Sequence, residues 1–116
     1  MNNKELQATR KLLMLEVNEA AEEIGAVSAS TWLSWEAGEQ AVPDAVADEM
    51  HTLLTLRLEF IEAIDESLAS GEPLSLPFYT RFEEYAADNH EAQRVGWRLS
   101  QSVAALYYTE GQAELF

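Results

Sequence analysis

Apolar positions between residues 17 and 38 recur with the spacing of two short helices that meet at a sharp turn. Ala20, Ala21 and Ile24 line one face of the first helix, where small alanines allow close helix crossing. Gly25 is predicted to end this helix by adopting a positive φ. The pattern predicts a helix-turn-helix, in which two helices joined by a short turn pack as one unit.

The second of these helices is predicted to carry large and small residues on opposite faces. Trp32 and Trp35 lie three residues apart and so share one face. Stacking of these rings on bases is the alternative, but at this spacing we favour two core anchors. The outward positions are small or apolar and include no basic residue: Ala29, Ser30, Leu33 and Ser34.

A helix near the N-terminus, capped by an asparagine, is predicted to bury a charge. Leu6, Arg10 and Leu13 follow at i, i+4 and i+7, so Arg10 points toward the core. A buried guanidinium needs an acid, and Glu36 beside Trp35 is the best partner. We expect a structural Arg10–Glu36 ion pair that ties the first helix to the third; a ligand contact by this pair is the less favoured alternative.

A long helix is predicted from Pro43 to about Ser70, because proline suits the first turn and Gly71 can close the last. Its apolar residues spread around the cylinder, so either the C-terminal segment or a second subunit is expected to pack on it. Beyond it, PLSLPFY predicts a short strand, a helix follows over about 80–88, and WRLSQSVAALYY predicts a closing helix. Aromatic residues of this half are expected in a core or dimer interface, with an inducer pocket less favoured: Phe78, Tyr79, Trp97 and Tyr107.

Composition predicts one compact unit that could divide into a larger and a smaller lobe, since 116 residues with 47% hydrophobic side chains can bury a sizeable core. The absence of cysteine excludes disulfides, thiolate metal sites and cysteine nucleophiles. No apolar run approaches the roughly 20 residues of a membrane span. The N-terminal sequence lacks the apolar core of a secretion signal, so a cytoplasmic protein is expected.

The net charge of −14 argues against nucleic acid as a partner, because affinity for phosphates comes largely from Lys and Arg. Divided after Arg57, the chain has four basic and ten acidic residues before the cut, and three and eleven after it. Some acidic proteins still bind DNA through a few local cations and backbone N–H groups. The charge therefore lowers the expectation of DNA binding without removing it.

Signatures of catalysis and of metal or phosphate binding are absent from the sequence. The glycines form no phosphate-binding pattern, and there is no nucleophile elbow. Asp48 and His51 are spaced to share a metal, but no further ligands accompany them. Carboxylate pairs such as Glu22 and Glu23 diverge on a helix and are expected to be solvated. Neither an enzyme nor a metal or cofactor site is predicted.

The motif resembles the Cro/repressor-like helix-turn-helix class, through Arg10, Leu15, Ala21, Gly25 and the run Trp35-Glu36-Ala37-Gly38. The whole chain is similar to the phage-associated anti-CRISPR-associated (Aca) repressors. This similarity is carried by NKELQATRKLLML, the Trp-x-x-Trp-Glu-x-Gly run, AVPD, PFY and GWRLSQSVAALYYTEG, which together cover nearly the full length.

The resemblance implies a mainly α fold: an N-terminal Cro/repressor-like helix-turn-helix bundle joined by a long helix to a small helical C-terminal dimerisation lobe with a short strand. Residues 1–57 would be the DNA-binding region and residues 58–116 the dimerisation region. It further implies a homodimeric repressor that binds inverted repeats in the promoter of an anti-CRISPR operon and autoregulates its own gene. Such a protein would be encoded by a phage or mobile element and act in the cytoplasm of a bacterial host. It implies no cofactor.

The residues expected at the DNA are Ser28, Ala29, Ser30, Thr31, Leu33, Ser34 and Gln40, with Lys4 and Lys11 at phosphates. Those expected at the dimer interface are Phe78, Tyr79, Trp97, Val103, Leu106 and Tyr107. At Ser30, Leu33 and Ser34, however, relatives carry long polar or basic side chains. This departure favours a second hypothesis, an acidic interaction module that keeps the fold but acts through protein partners. RNA is a less favoured partner, since the acidic charge opposes it equally.

Overall fold

The computed structural model describes residues 1–116 and shows a mainly helical chain with one small sheet. This confirms the predicted class: mainly α with a short strand. The chain divides into two compact units, Met1–Leu54 and Thr55–Phe116. The six helices are α1 (Asn3–Leu12), α2 (Val17–Ala20), α3 (Ala29–Glu36), α4 (Asp44–Leu68), α5 (Phe82–Asp88) and α6 (Arg94–Thr109), and the strands are β1 (Ser75–Leu76) and β2 (Glu114–Leu115).

The unit Met1–Leu54 is built around α3, which packs against α1 and α2. Helix α1 starts at a capping box, in which the Asn2 side chain accepts from the Glu5 N–H and the Glu5 carboxylate accepts from the Asn2 N–H. The asparagine cap predicted from the sequence is confirmed. Leu6, Trp32 and Met50 are fully buried, so the apolar faces of α1, α3 and α4 all contribute to this core.

The turn between α2 and α3 has its positive φ at Ala26 rather than at Gly25. Beyond Ala20, α2 continues as a π-helical turn, Ala21–Gly25, and Ala26 adopts the left-handed conformation with φ 52°. The prediction of a positive φ at Gly25 was therefore wrong. The π-helical turn moves the end of the helix one residue further along the chain, past the glycine.

Helix α4 has the ends that the sequence predicts. It begins directly after Pro43, and Gly71, at φ +79°, donates its N–H to the Leu68 carbonyl at 3.0 Å. Val46 and Met50 are buried in the first unit, and Ile64 is buried in the second. At one end α4 is thus held by a proline and at the other by a glycine in a left-handed turn.

The unit Thr55–Phe116 places α6 at its centre, in contact with α5 and β2. The strands β1 and β2 run parallel, with Ser75 opposite Glu114 and Leu76 opposite Leu115. Only β1 was predicted, because a two-residue strand such as β2 is too short to show alternation. No helix of this fold combines the length and apolar character that a membrane crossing requires.

Candidate nucleic-acid interface

Helix α3 presents two faces of opposite character. Its inward face, defined here as Trp32, Trp35 and Glu36, is buried at 0, 5 and 8% exposure. Its outward face, defined as Ala29, Ser30 and Leu33, is exposed. The Ser28 side chain caps the helix by accepting from the Thr31 N–H at 3.3 Å. The two tryptophans are thus used inside the protein, as the sequence predicts.

A bidentate ion pair joins α1 to the inward face of α3. Arg10 Nε donates to Glu36 Oε2 at 2.7 Å, and Arg10 Nη2 donates to Glu36 Oε1 at 3.0 Å. The remaining guanidinium nitrogen, Nη1, donates to the Leu15 carbonyl at 3.0 Å. Since the Glu36 side chain is only 3% exposed and the Arg10 side chain 12%, this pair is held inside the protein. It has the geometry of a strong charge-assisted contact.

Glu36 receives further donors that the sequence analysis missed. Trp32 donates its indole N–H to Glu36 Oε2, and Asn3 donates its side-chain amide to the Glu36 carbonyl at 3.2 Å. The Trp32–Glu36 contact has an i, i+4 spacing that could have revealed it in advance. Burial alone would raise the pKa of Glu36, but hydrogen bonds from Arg10 and Trp32 and the charge of Arg10 outweigh it and lower that pKa below its ordinary value.

The two tryptophans of the inward face leave no room for a side chain at residue 25. Their ring centroids lie 5.5 Å apart with the planes tilted by 57°. A Cβ atom on Gly25 would lie 3.2 Å from a ring carbon of Trp32 and of Trp35, and 2.9 Å from a methyl of Val27. Glycine is therefore required at residue 25 by close packing and not by its φ angle.

The hydroxyl groups beside the outward face are engaged with one another and with the backbone. Ser28 Oγ lies 3.1 Å from both Ser30 Oγ and Thr31 Oγ1. Ser34, half-buried, donates its hydroxyl to the Thr31 carbonyl at 2.6 Å and lies 3.3 Å from Gln40 Oε1. The hydroxyls of Ser28, Ser30 and Thr31 share two contacts, so at least one of their three protons is not used in them, whereas the Ser34 proton is used within the protein.

Basic residues are few in this unit. Among residues 1–54 there are three basic and ten acidic side chains, a net charge of −7. Arg10 is committed to Glu36, so Lys4 and Lys11, both exposed and seven residues apart on one face of α1, are the cations available at the surface. Gln40 is exposed in the loop after α3, where an open groove is lined by Asn2 and Asn3.

Arg57, which the sequence analysis counted with the N-terminal half, belongs to the unit Thr55–Phe116. Its Nε donates to Ser102 Oγ at 3.1 Å. Burial lowers the pKa of Arg57 below its ordinary value. This cation is therefore built into the second unit.

Three of the residues expected at a dimer interface are buried within a single chain: Trp97, Val103 and Tyr107, at 7, 0 and 2% exposure. Trp97 Nε1 donates to the Tyr79 carbonyl at 2.7 Å. The Tyr107 hydroxyl lies 2.6 Å from Asp65 Oδ1 and 3.0 Å from the Ile61 carbonyl. Burial, with the Asp65 contact, raises the pKa of Tyr107 to about 12. These three side chains hold one chain together, and their part in a dimer interface stays a prediction.

The remaining candidates, Phe78, Tyr79 and Leu106, are half-buried. The large apolar side chains that the second unit does expose lie elsewhere, on α4, at the end of α6 and at the C-terminus: Leu56, Leu58, Phe60, Tyr108 and Phe116. The apolar area available for a partner therefore comes from α4, the end of α6 and the C-terminus.

The structure groups no three His, Asp or Glu side chains as metal ligands. Asp48 and His51, whose spacing allows a shared metal, are both exposed on α4. The exposed positions at residues 28–40 and the lysines of α1 therefore remain the candidate site.

Comparison with known proteins places both units of the chain in one protein family. The Aca2/YdiL-like family profile matches residues 1–116. The Aca2 repressor of Pectobacterium phage ZF40 is 61% identical over 115 residues, which cover 99% of this chain and 99% of the relative. The uncharacterized protein YdiL of Escherichia coli strain K12 is 30% identical over 113 residues, 93% of each chain.

Proposed function

Since the chain belongs to the Aca2/YdiL-like family, we propose that it is a sequence-specific DNA-binding transcriptional repressor without enzymatic activity. The observation that carries this proposal is the 61% identity to the Aca2 repressor across 99% of both chains. In the proposed function, the target is an inverted repeat in the promoter of an anti-CRISPR operon, and the protein also represses its own gene.

We further propose that α2, its π-helical turn and α3 form a helix-turn-helix in which α3 is the recognition helix. The support is the contrast on α3: the inward face is fixed by Trp32, Trp35 and Glu36, while Ala29, Ser30 and Leu33 are free for base edges. A recognition helix enters the major groove with its N-terminal residues at the bases. Ser28, at the start of α3, would lie closest to the backbone of the DNA.

Dimerisation completes the proposal, because an inverted repeat is matched by two copies related by a twofold axis. Residues 1–57 would bind DNA and residues 58–116 would dimerise. Leu58 and Phe60 on α4 and Tyr108 on α6 supply exposed apolar area for that contact, since they are 45–59% exposed. Two recognition helices would then enter successive major grooves about 34 Å apart.

The charge of the proposed DNA-binding unit sets how its affinity responds to salt. Lys4 and Lys11 are the two exposed cations of residues 1–54, which gives about four phosphate neutralisations per dimer. The logarithm of the binding constant should then fall with the logarithm of salt concentration at a slope of about −4, against about −10 for a strongly basic repressor. Backbone N–H groups and polar side chains would supply the remaining phosphate contacts.

The test is a mobility-shift titration of the purified protein against DNA taken from just upstream of its own gene. It should be run at low and near-physiological salt with a scrambled competitor of equal length and composition. The proposal requires saturable binding that survives the competitor, followed by footprinting that locates an inverted repeat. Absence of binding at micromolar protein, in a sample shown by sedimentation and far-UV circular dichroism to be a folded dimer, would contradict it.

One observation favours a second candidate function, an acidic module that acts through protein partners. Between residues 17 and 42 there is no lysine or arginine, and residues 1–54 carry a net charge of −7. Such a module could pair with a DNA-competent relative and disable it. Mixing experiments distinguish the two: this candidate requires that the chain lower DNA binding by a relative such as the phage Aca2 repressor without binding the fragment itself.

A further inference from the structure

Leu33 is the most prominent side chain on the outward face of α3. It is 50% exposed, while the other two members of that face, Ala29 and Ser30, carry at most two side-chain heavy atoms. At 100° per residue, Leu33 lies between Ala29 and Ser30 around the helix axis. A surface that approaches this face therefore meets Leu33 first.

The polar groups next to Leu33 offer little discrimination between bases. Ser28 caps the helix, Ser30 Oγ lies 3.1 Å from Ser28 Oγ, and the Ser34 hydroxyl donates to the Thr31 carbonyl. A single hydroxyl can donate or accept at a base edge, but it makes no bidentate contact of the kind that selects guanine or adenine. Leu33, the largest side chain of this face, is therefore the main candidate for its selectivity.

Leucine carries no donor or acceptor, so it can select only an apolar group. In the major groove the only apolar group on the edge of an unmodified base is the C5-methyl of thymine. Resting on the proposed function, we propose that Leu33 is the specificity-determining residue of α3 and that it selects one thymine in each half-site by burying the methyl. A cytosine or purine at that position leaves the isobutyl group against polar edges.

The experiment removes the methyl and nothing else. Each thymine of the footprinted fragment is replaced in turn by deoxyuridine, which keeps the base pair, and binding is measured by fluorescence anisotropy. For the unmodified protein, one symmetry-related position per half-site should weaken binding about fourfold when substituted, the effect of one methyl-sized apolar group. The Leu33→Ala variant should bind the thymine and deoxyuridine fragments equally.

Two further variants separate the methyl contact from general effects. Leu33→Met keeps an apolar side chain and should retain most of the thymine preference. Leu12→Ala removes a similarly exposed leucine from α1 and should retain the full fourfold difference. Urea unfolding of each variant checks that the fold is intact.

Saturable binding in which no deoxyuridine position matters would overturn the assignment and leave the proposed function standing. A thymine preference that persists in Leu33→Ala would also overturn the assignment alone. Failure of the unmodified protein to bind the unmodified fragment would overturn both.

Discussion

The two faces of α3 differ in how much the rest of the protein constrains them. On the inward face, Trp32 donates to Glu36, Glu36 pairs with Arg10, and Gly25 packs against the tryptophan rings. On the outward face, Ala29, Ser30 and Leu33 are exposed. Because no core contact depends on the outward face, its residues can change without loss of the fold, whereas changes on the inward face disturb several partners at once.

The difference would let the proposed DNA-binding scaffold keep its fold while its outward residues change. The ion pair and the tryptophans position α3 whatever its outward side chains are. The specificity of a repressor can therefore be altered at two or three positions. This is possible because the residues that hold such a helix in place differ from those that contact the DNA. The predictions below test this separation, from the largest expected effect to the smallest.

Replacing Arg10 with methionine should have the largest effect. The substitution leaves the Glu36 carboxylate buried without its charged partner, which typically lowers the free energy of unfolding by about 3–5 kcal/mol. That is a large part of the total stability of a small domain. Urea unfolding followed by tryptophan fluorescence measures the change.

Two controls accompany this variant. Arg81→Ala breaks an exposed pair, Arg81–Glu84, with side chains 70% and 46% exposed, and should change the unfolding free energy by no more than about 0.5 kcal/mol. The double variant Arg10→Met with Glu36→Gln should recover part of the loss, because no buried charge remains. An unfolding free energy for Arg10→Met within 1 kcal/mol of the unmodified protein would show that the pair contributes little.

Gly25→Ala should have the next largest effect. The added methyl would meet Val27 at 2.9 Å and both tryptophan rings at 3.2 Å, so overpacking should lower the unfolding free energy by about 1–3 kcal/mol. The matched control is Val27→Ala in the Gly25→Ala background, which removes the closest contact and should restore part of the stability. If Gly25→Ala proves neutral, the inward face is less tightly packed than the structure indicates.

Lowering the pH should reduce the contribution of Glu36 to the free energy of unfolding. Because its folded pKa lies below the ordinary value, the stabilisation is fully present above that ordinary value. It is lost as the pH falls through the folded pKa. The difference in unfolding free energy between the unmodified protein and Glu36→Gln should therefore shrink as the pH is lowered from 6 toward about 3. A difference that stays constant over this range would argue against a depressed pKa.

Substitutions on the outward face should have the smallest effect on stability. Ser30→Ala and Leu33→Ala remove exposed side chains, so each should change the unfolding free energy by less than about 0.5 kcal/mol. Thermal unfolding by circular dichroism suffices as the measurement. A larger loss for Leu33→Ala would mean that this leucine supports the fold, and the separation of the two faces would fail.

Much of the inward face could be predicted from sequence because helical periodicity fixes which residues share a side. The spacing of Leu6, Arg10 and Leu13 predicts a buried guanidinium, and the structure pairs it with Glu36 as expected. The ends of α4 follow from Pro43 and Gly71 in the same way, since each has a strong positional preference.

Other features of the structure cannot be predicted from the helical periodicity of the sequence. The π-helical turn shifts the positive φ to Ala26, and a helical period of 3.6 residues does not predict such a turn. Strand β2 is set by pairing with β1 and not by its own two residues. Periodicity shows that Trp97, Val103 and Tyr107 are buried, but not that a single chain is sufficient to bury them.

The central claim is that residues of the outward face determine DNA binding without affecting the stability of the fold. Its most direct test compares the binding of the unmodified protein and of two variants to the footprinted fragment. Ser30→Glu places a carboxylate on that face, and Ala87→Glu adds the same charge at an exposed position of α5. The account predicts that Ser30→Glu abolishes saturable binding with an unchanged unfolding curve, while Ala87→Glu binds like the unmodified protein. Equal binding by all three proteins would contradict it.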